Sequence, residues 1–272
     1  LRVTQSGFPL LDAVVADRPV WLTRADGGAG WANSAALAAA GITPRASAGV
    51  LTGAAMAPLA AAVPPPLPED RDQALYAAQG RLLAAGITAV ADMGTSIEDW
   101  MTYRRAGDAG WLRLRIMAYA DSVENMLLIG GPGPTPWLYA DRLRLGGLSV
   151  PLDGPLAARE ALLKAPYADA PRASGSTRSS GTQLRNRMSR AALDSFQIAI
   201  HATGDAAVAE AVQAIDDLSG DYAGERRWRI EQAALVDPAD LPLLARHAIT
   251  AVVMPGQLHG DSAIATARLG PD

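Results

Sequence analysis

The chain has 272 residues, 49% hydrophobic and 19% charged, with a formal net charge of -4 and a pI near 5.4. That length supports one large α/β domain or two smaller ones around a substantial apolar core. Lys and Arg are scattered rather than clustered, which excludes the electrostatic footprint of a nucleic-acid or anionic-membrane partner. Cysteine is absent, so no disulfide, thiolate metal site or cysteine nucleophile is available. No apolar run approaches the roughly 20 residues of a membrane span, and no basic stretch leads into an apolar core at the N-terminus. A cytoplasmic location is the expectation.

Residues 20–24 read as a strand and residues 32–40 (ANSAALAAA) as a helix capped by Asn33 or Ser34, before a proline run at 64–66. Residues 1–70 are therefore expected to form a small appended α/β subdomain. From residue 71 to 272, helical patterns alternate with short β-branched runs, the signature of repeated βα units on a parallel sheet. A helix at 70–85 ends at Gly86 and leads to a strand at 87–91, closed by a turn at Asp92, Met93 and Gly94. Helix 97–109 precedes strand 112–119, and residues 142–152 form the next strand. Residues 171–182 (PRASGSTRSSGT) read as a mobile loop. Helices at 183–195, 206–218 and 240–247 then alternate with strands at 197–201, 227–233 and 249–253. Six such strands fit either a barrel or an open doubly wound sheet. No glycine-rich phosphate loop follows any of them, which favours the barrel.

Reactive groups in a barrel gather at the C-terminal strand ends. The candidates there are Asp92, Asp121, Asp153, His201, Asp205, Glu231, Gln232, Gln257 and His259. His201, in IAIHATGD, ends an apolar strand, where a lone imidazole must be coordinated or hydrogen-bonded. It reads either as a metal ligand or base, or as a core histidine bonded to a carbonyl or to Asp205. His247 suits the C-terminal end of a helix. The strand-end carboxylates suit acid–base work or the capping of the next helix. No Gly-x-Ser-x-Gly elbow is present. Trp31 is the tryptophan placed near a pocket.

The segments LDAVVADRPVWLTRADGGAGWANSAALAAAGIT, AAGITAVADMGTS, RLRLGGLSVPLDG, FQIAIHATGDAAVAEAVQAI and RWRIEQAALVDPADLPLLARHAITAVVMP stand in this order along the chain. Together they resemble the amidohydrolase superfamily, in the branch that includes N-substituted formamide deformylase. The resemblance implies a (β/α) TIM-type barrel and a divalent metal that activates water to cleave a non-peptide, amide-like C–N bond. The family's ligands are a His-x-His on the first strand, a modified lysine on the fourth, histidines on the fifth and sixth, and an aspartate on the eighth. Counterparts of the first and eighth strands are expected to lie beyond the two ends of this chain.

Within the matched region His201 retains the fifth-strand histidine, whereas Ser149 stands at the lysine and Gln232 at the sixth-strand histidine. Asp26-Gly27-Gly28 stands for the family's Asp-Gly-His, and Gln257 for the histidine after the seventh strand, with His259 two residues on. The resemblance thus implies at most one ion, zinc, on His201, with Asp205 and Glu231 as catalytic supports. Asp26, Trp31, Asn33, Asp92 and His259 would line the side of a small amide-like substrate. Reduced activity follows from the missing ligands, and a catalytically inactive small-molecule binder is the alternative. A barrel short of two strands exposes sheet edges, so homo-oligomerisation is expected.

Overall fold

The computed structural model describes residues 7–24, 27–43 and 49–270; the side chains of 7–10 and 257–261 fall outside that description. The chain divides into two compact units, Leu1–Pro65 and Pro66–Asp272.

In the first unit, helix α1 (Gly7–Val14) precedes strands β1 (Trp21–Thr23) and β2 (Ala29–Ala32), helix α2 (Ser34–Ala39), strand β3 (Val50–Thr52), a 3-10 turn at Gly53–Met56 and helix α3 (Ala57–Ala62). The strands form an antiparallel sheet in the order β1-β2-β3, with Leu22 opposite Trp31 and Gly30 opposite Leu51. Gly30 has no alternative, because a Cβ there would lie 2.1 Å from the Trp21 indole nitrogen. Ala32, Ala36, Leu37, Leu51 and Leu59 make the core. The Asn33 side chain accepts from Ala36 N at 2.9 Å and is the cap of α2, a contact typically worth about 1 kcal/mol. Strands β2 and β3 were not foreseen: β2 (AGWA) has no β-branched residue and β3 (VLT) is only 3 residues long, and their extended form comes from pairing.

The second unit opens with helix α4 (Pro68–Ala84) and continues through β4 (Ala89–Thr95), α5 (Ile97–Asp108), β5 (Arg115–Ala120), α6 (Val123–Gly130), β6 (Leu143–Pro151), α7 (Gly181–Leu193), β7 (Gln197–Ala202), α8 (Asp205–Ser219), β8 (Arg229–Gln232), α9 (Leu241–Arg246), β9 (Thr250–Ala251) and α10 (Pro255–Leu269). The six strands are parallel and lie in sequence order, β4-β5-β6-β7-β8-β9. A doubly wound sheet requires a reversal of strand order. Here the order never reverses, so right-handed crossovers carry all the helices to one face of a curled, half-barrel sheet.

That face is the main core. Ile116, Ala118 and Ala120 of β5, Ile198, Ile200 and Ala202 of β7 and Ile230 of β8 alternate along their strands and pack with Met126, Leu184, Met188, Val208, Val212 and Ile215 of the helices. In β6 the alternation changes phase, from Leu143 and Leu145 to Leu148 and Val150, because the register with β5 slips at Gly146. Serine caps begin three of the helices: Ser96, Ser122 and Ser180 accept from the backbone N–H three residues on.

Three sequence readings change. Asp92, Met93 and Gly94 do not form a turn; β4 runs through them to Thr95, with a register shift accommodated by Gly94 at φ +116°. The segment 171–182 is tied in place. Arg178 N donates to Leu152 O at 2.8 Å, Thr177 Oγ1 to Ser179 O at 2.5 Å, and Gly175 approaches Ala161 so closely that a Cβ would lie 2.0 Å from its carbonyl oxygen. His259 was placed on a loop, and its backbone is helical, within α10. No helix among the described residues is long and apolar enough to cross a membrane.

Candidate functional site

The side chains that alternate with the core residues of β5 to β8 project from the opposite face of the sheet, and there the sequence changes from aliphatic to polar. On this face, Ser149 of β6 pairs with His201 of β7, and Glu231 and Arg229 of β8, Tyr119 of β5 and Gln197 of β7 form a chain. Register places His201 beside Pro151 on one side and Glu231 on the other. His201 Nε2 and Ser149 Oγ are 2.9 Å apart. The Glu231 carboxylate accepts from Arg229 Nε, Arg229 Nη1 donates to the Tyr119 hydroxyl at 3.2 Å, and that hydroxyl donates to Gln197 Oε1 at 2.5 Å. The Arg229 guanidinium also lies over the Tyr119 ring, 5.4 Å from its centroid.

Charge in this cluster is largely compensated. Glu231 is only 7% exposed, and an ionised carboxylate at that depth requires the cation Arg229 provides. Burial lowers the His201 imidazole below its usual value; Glu231 opposes the fall, and Arg229 and Arg178 add to it. A neutral imidazole at neutral pH can accept a proton from Ser149 Oγ or donate one to it. Burial also raises the Tyr119 phenol, against the pull of Arg229.

Beyond the strand ends, buried Asp153 organises the backbone. Its Oδ1 accepts from Thr203 N at 2.9 Å, and its Oδ2 from Leu162 N at 2.9 Å and Gly204 N at 2.8 Å. Burial raises this carboxyl, with the three backbone donors opposing. Gly204 is pressed against the same loop; a Cβ would meet Leu162 O at 2.0 Å. Asp153 thereby holds the turn that follows His201.

The other sequence candidates lie elsewhere. Asp92 Oδ2 accepts from Tyr103 OH at 2.9 Å and Thr95 Oγ1 at 2.6 Å, which directs it towards α5 and the helix side of β4. Asp205, the first residue of α8, accepts from Lys164 N at 3.0 Å and Ala206 N at 2.9 Å, so it does not bond to His201. Thr203 Oγ1 donates to Gln232 Oε1 at 2.7 Å. His247 pairs with Asp216 Oδ1 at 2.6 Å, and Asp121 accepts from Asn125 at 2.8 Å. In the first unit, Asn33 is fully buried, accepts from Val20 N and Ala36 N and donates to Val15 O and Arg18 O, so its polar atoms serve the fold. Trp31 is half-buried on β2. Asp26 and the side chains of Gln257 and His259 lie outside the described residues.

Arg229 and Tyr119 were missed from sequence. The signal was present: Arg229 stands two residues before Glu231, and a period of two puts both on one face.

The donor set was tested against a divalent metal. Among the described residues no group of three or more His, Asp or Glu could hold one. His201 is the sole imidazole in the cluster, the Glu231 carboxylate is bound to a guanidinium, and the three donors on Asp153 point into backbone. These residues do not fit a metal centre by themselves.

Residues 5–272 match the sequence profile of a family described as the amidohydrolase family. The chain is 28% identical over 302 residues to "Protein LONG AFTER FAR-RED 3" of Arabidopsis thaliana, covering 96% of this chain and 49% of that protein. It is 29% identical over 287 residues to "Putative amidohydrolase YtcJ" of Bacillus subtilis (strain 168), covering 96% and 52%. Among solved structures, an uncharacterized metal-dependent hydrolase from Pyrococcus horikoshii superposes with a TM-score of 0.81 at 25% identity, covering 97% of this chain and 54% of its own. One from Pyrococcus furiosus gives 0.79 at 25% identity, covering 96% and 55%. The chain thus spans about half the length of the relatives it matches.

Proposed function

This chain belongs to the amidohydrolase family, and from that premise we propose that it is the half-barrel of a hydrolase acting on non-peptide, amide-like C–N bonds, with reduced turnover as the chain stands. The observation that carries this reading is the polar cluster at the C-terminal ends of β6 to β8, where barrel enzymes keep their chemistry. His201 is the proton-handling group: burial keeps it neutral, and its Nε2 meets a hydroxyl at 2.9 Å. Glu231 acts on His201 through its charge, while Arg229 fixes the carboxylate. Reduced turnover follows from Ser149 and Gln232, which cannot replace lysine and histidine as ligands. A divalent ion, zinc, would have His201 as its one ligand among the described residues and would need donors from outside them.

The test combines release of amine from N-substituted formamides and simple amides with metal content by mass spectrometry, for the chain and its His201→Ala variant. Slow turnover that is lost in the variant, with metal well below one ion per chain, is the expected result. Turnover that survives His201→Ala sinks the assignment. The reading as a small-molecule binder draws support from the Glu231 pairing with Arg229, which leaves the cluster charge-compensated without an ion; it is favoured if neither turnover nor metal is found.

A further inference from the structure

At the N-terminal ends of the same strands, the second unit holds a cavity of about 430 Å³ lined by Met117, Arg144, Gly146, Phe196, Gln197 and Arg227, with Arg226 and Glu225 also at its wall. We propose that this cavity binds a small organic carboxylate, with the Arg144 guanidinium as its anchor. The volume falls in the range of about 300–1,000 Å³ typical of small-molecule sites.

Three independent features support it. The first is charge: three guanidiniums face one carboxylate. Two of the three are already engaged, Arg226 Nη1 with Ala192 O at 3.0 Å and Arg227 Nε with Glu225 at 2.9 Å. Arg144 differs, because its Nε is buried and has no hydrogen-bond partner among the described residues. A carboxylate bound to the guanidinium fork would supply the counter-charge that Arg144 lacks.

The second is backbone conformation. Ser195 and Arg227, at the wall, hold φ of 63° and 52°, unusual for residues with side chains. The third is the slip in β6. Gly146 sits at the register shift against β5 and presents no side chain; a Cβ there would lie 2.3 Å from Met117 Sδ. The bulge therefore leaves backbone and Met117 beside Arg144, and Pro134 and Phe196 complete an apolar wall that suits the non-ionic part of the ligand.

The site shares Gln197 with the polar cluster but lies away from His201. Gln197, at its wall, and His201 are four residues apart on β7, roughly 13 Å at strand rise. The inference therefore does not depend on the hydrolase reading.

Isothermal titration of the full chain with benzoate, and with benzamide as its neutral counterpart, tests the proposal. Saturable benzoate binding is expected, at least tenfold tighter than benzamide and at least tenfold weaker in Arg144→Gln. The melting temperature of Arg144→Gln should not fall, since the native Nε makes no bond to lose among the described residues. Arg144→Lys, which keeps the charge without the planar fork, should bind between the two and covers the case in which the glutamine variant fails to fold. Equal affinity for benzoate and benzamide, or benzoate affinity unaffected by either substitution, would overturn the proposal.

Discussion

On the helix side of the parallel sheet, Ile116, Ala118, Ile198, Ile200 and Ala202 are all 2% exposed or less and touch other apolar groups. On the opposite side, the residues between them and their neighbours are Tyr119, Ser149, Gln197, His201, Arg229 and Glu231, linked by hydrogen bonds and one ion pair. The same strands build both faces, yet one is held by area and shape and the other by directional contacts. Parallel sheets are ordinarily apolar on both faces. A polar face in the middle of such a sheet must be satisfied group by group, which is why each member is bonded to another.

The contrast predicts a graded response to substitution. The largest effect is expected at Ile200, which is fully buried. Ile200→Ala removes methyl groups from a packed layer and should lower stability by about 2–5 kcal/mol in urea unfolding, with no specific effect on the polar face. A loss under 1 kcal/mol would show that the helix layer relaxes freely and would break the comparison.

Asp153→Ala comes next. It leaves three backbone N–H groups without their acceptor, and a loss of about 3 kcal/mol is expected, with faster amide exchange at Leu162, Thr203 and Gly204. Unchanged exchange at these three amides would contradict the role assigned to the carboxylate.

Glu231→Gln keeps the shape and removes the charge facing Arg229. Arg229 is 20% exposed at its side chain and retains the Tyr119 hydroxyl, so the cost should be smaller, about 2 kcal/mol. Recovery of that loss in a Glu231→Gln, Arg229→Met double variant would sharpen the view that pairing, rather than either charge, is what the polar face requires.

The smallest effect is a pH dependence. The His201 pKa is lowered in the folded state, so just below the usual histidine value the unfolded chain binds more protons than the folded one. Stability should therefore fall as pH drops from 7.5 towards 5, by at most about 1.4 kcal/mol per pH unit from this group. Melting curves of the native chain and of His201→Asn over that range should differ in slope; identical slopes would show that His201 is not the titrating group.

Much of the second unit was legible in the sequence because its periodicities are strong. Helices 70–85, 97–109 and 206–218 lie within two residues of the observed α4, α5 and α8 at each end, and strands 142–152 and 197–201 within one residue of β6 and β7. Helix α6 was missed: Val123–Gly130 is only 8 residues long, with its polar residues confined to the first turn, too little to mark a period. The direction of Asp92 was also hidden, since whether a strand continues through Asp-Met-Gly depends on a bulge paid out against β5.

The sequence by itself determined the alternation of helix and strand, the cap at Asn33, and the position of His201 at a strand end, because these are local consequences of side-chain pattern. Only the tertiary structure decided that His201 meets Ser149, 52 residues away, that Arg229 is anchored by Glu231 and Tyr119, and that Asp153 binds three amides from two loops. Those contacts arise from strand order and register, which bring distant residues together through backbone hydrogen bonds that no local pattern encodes.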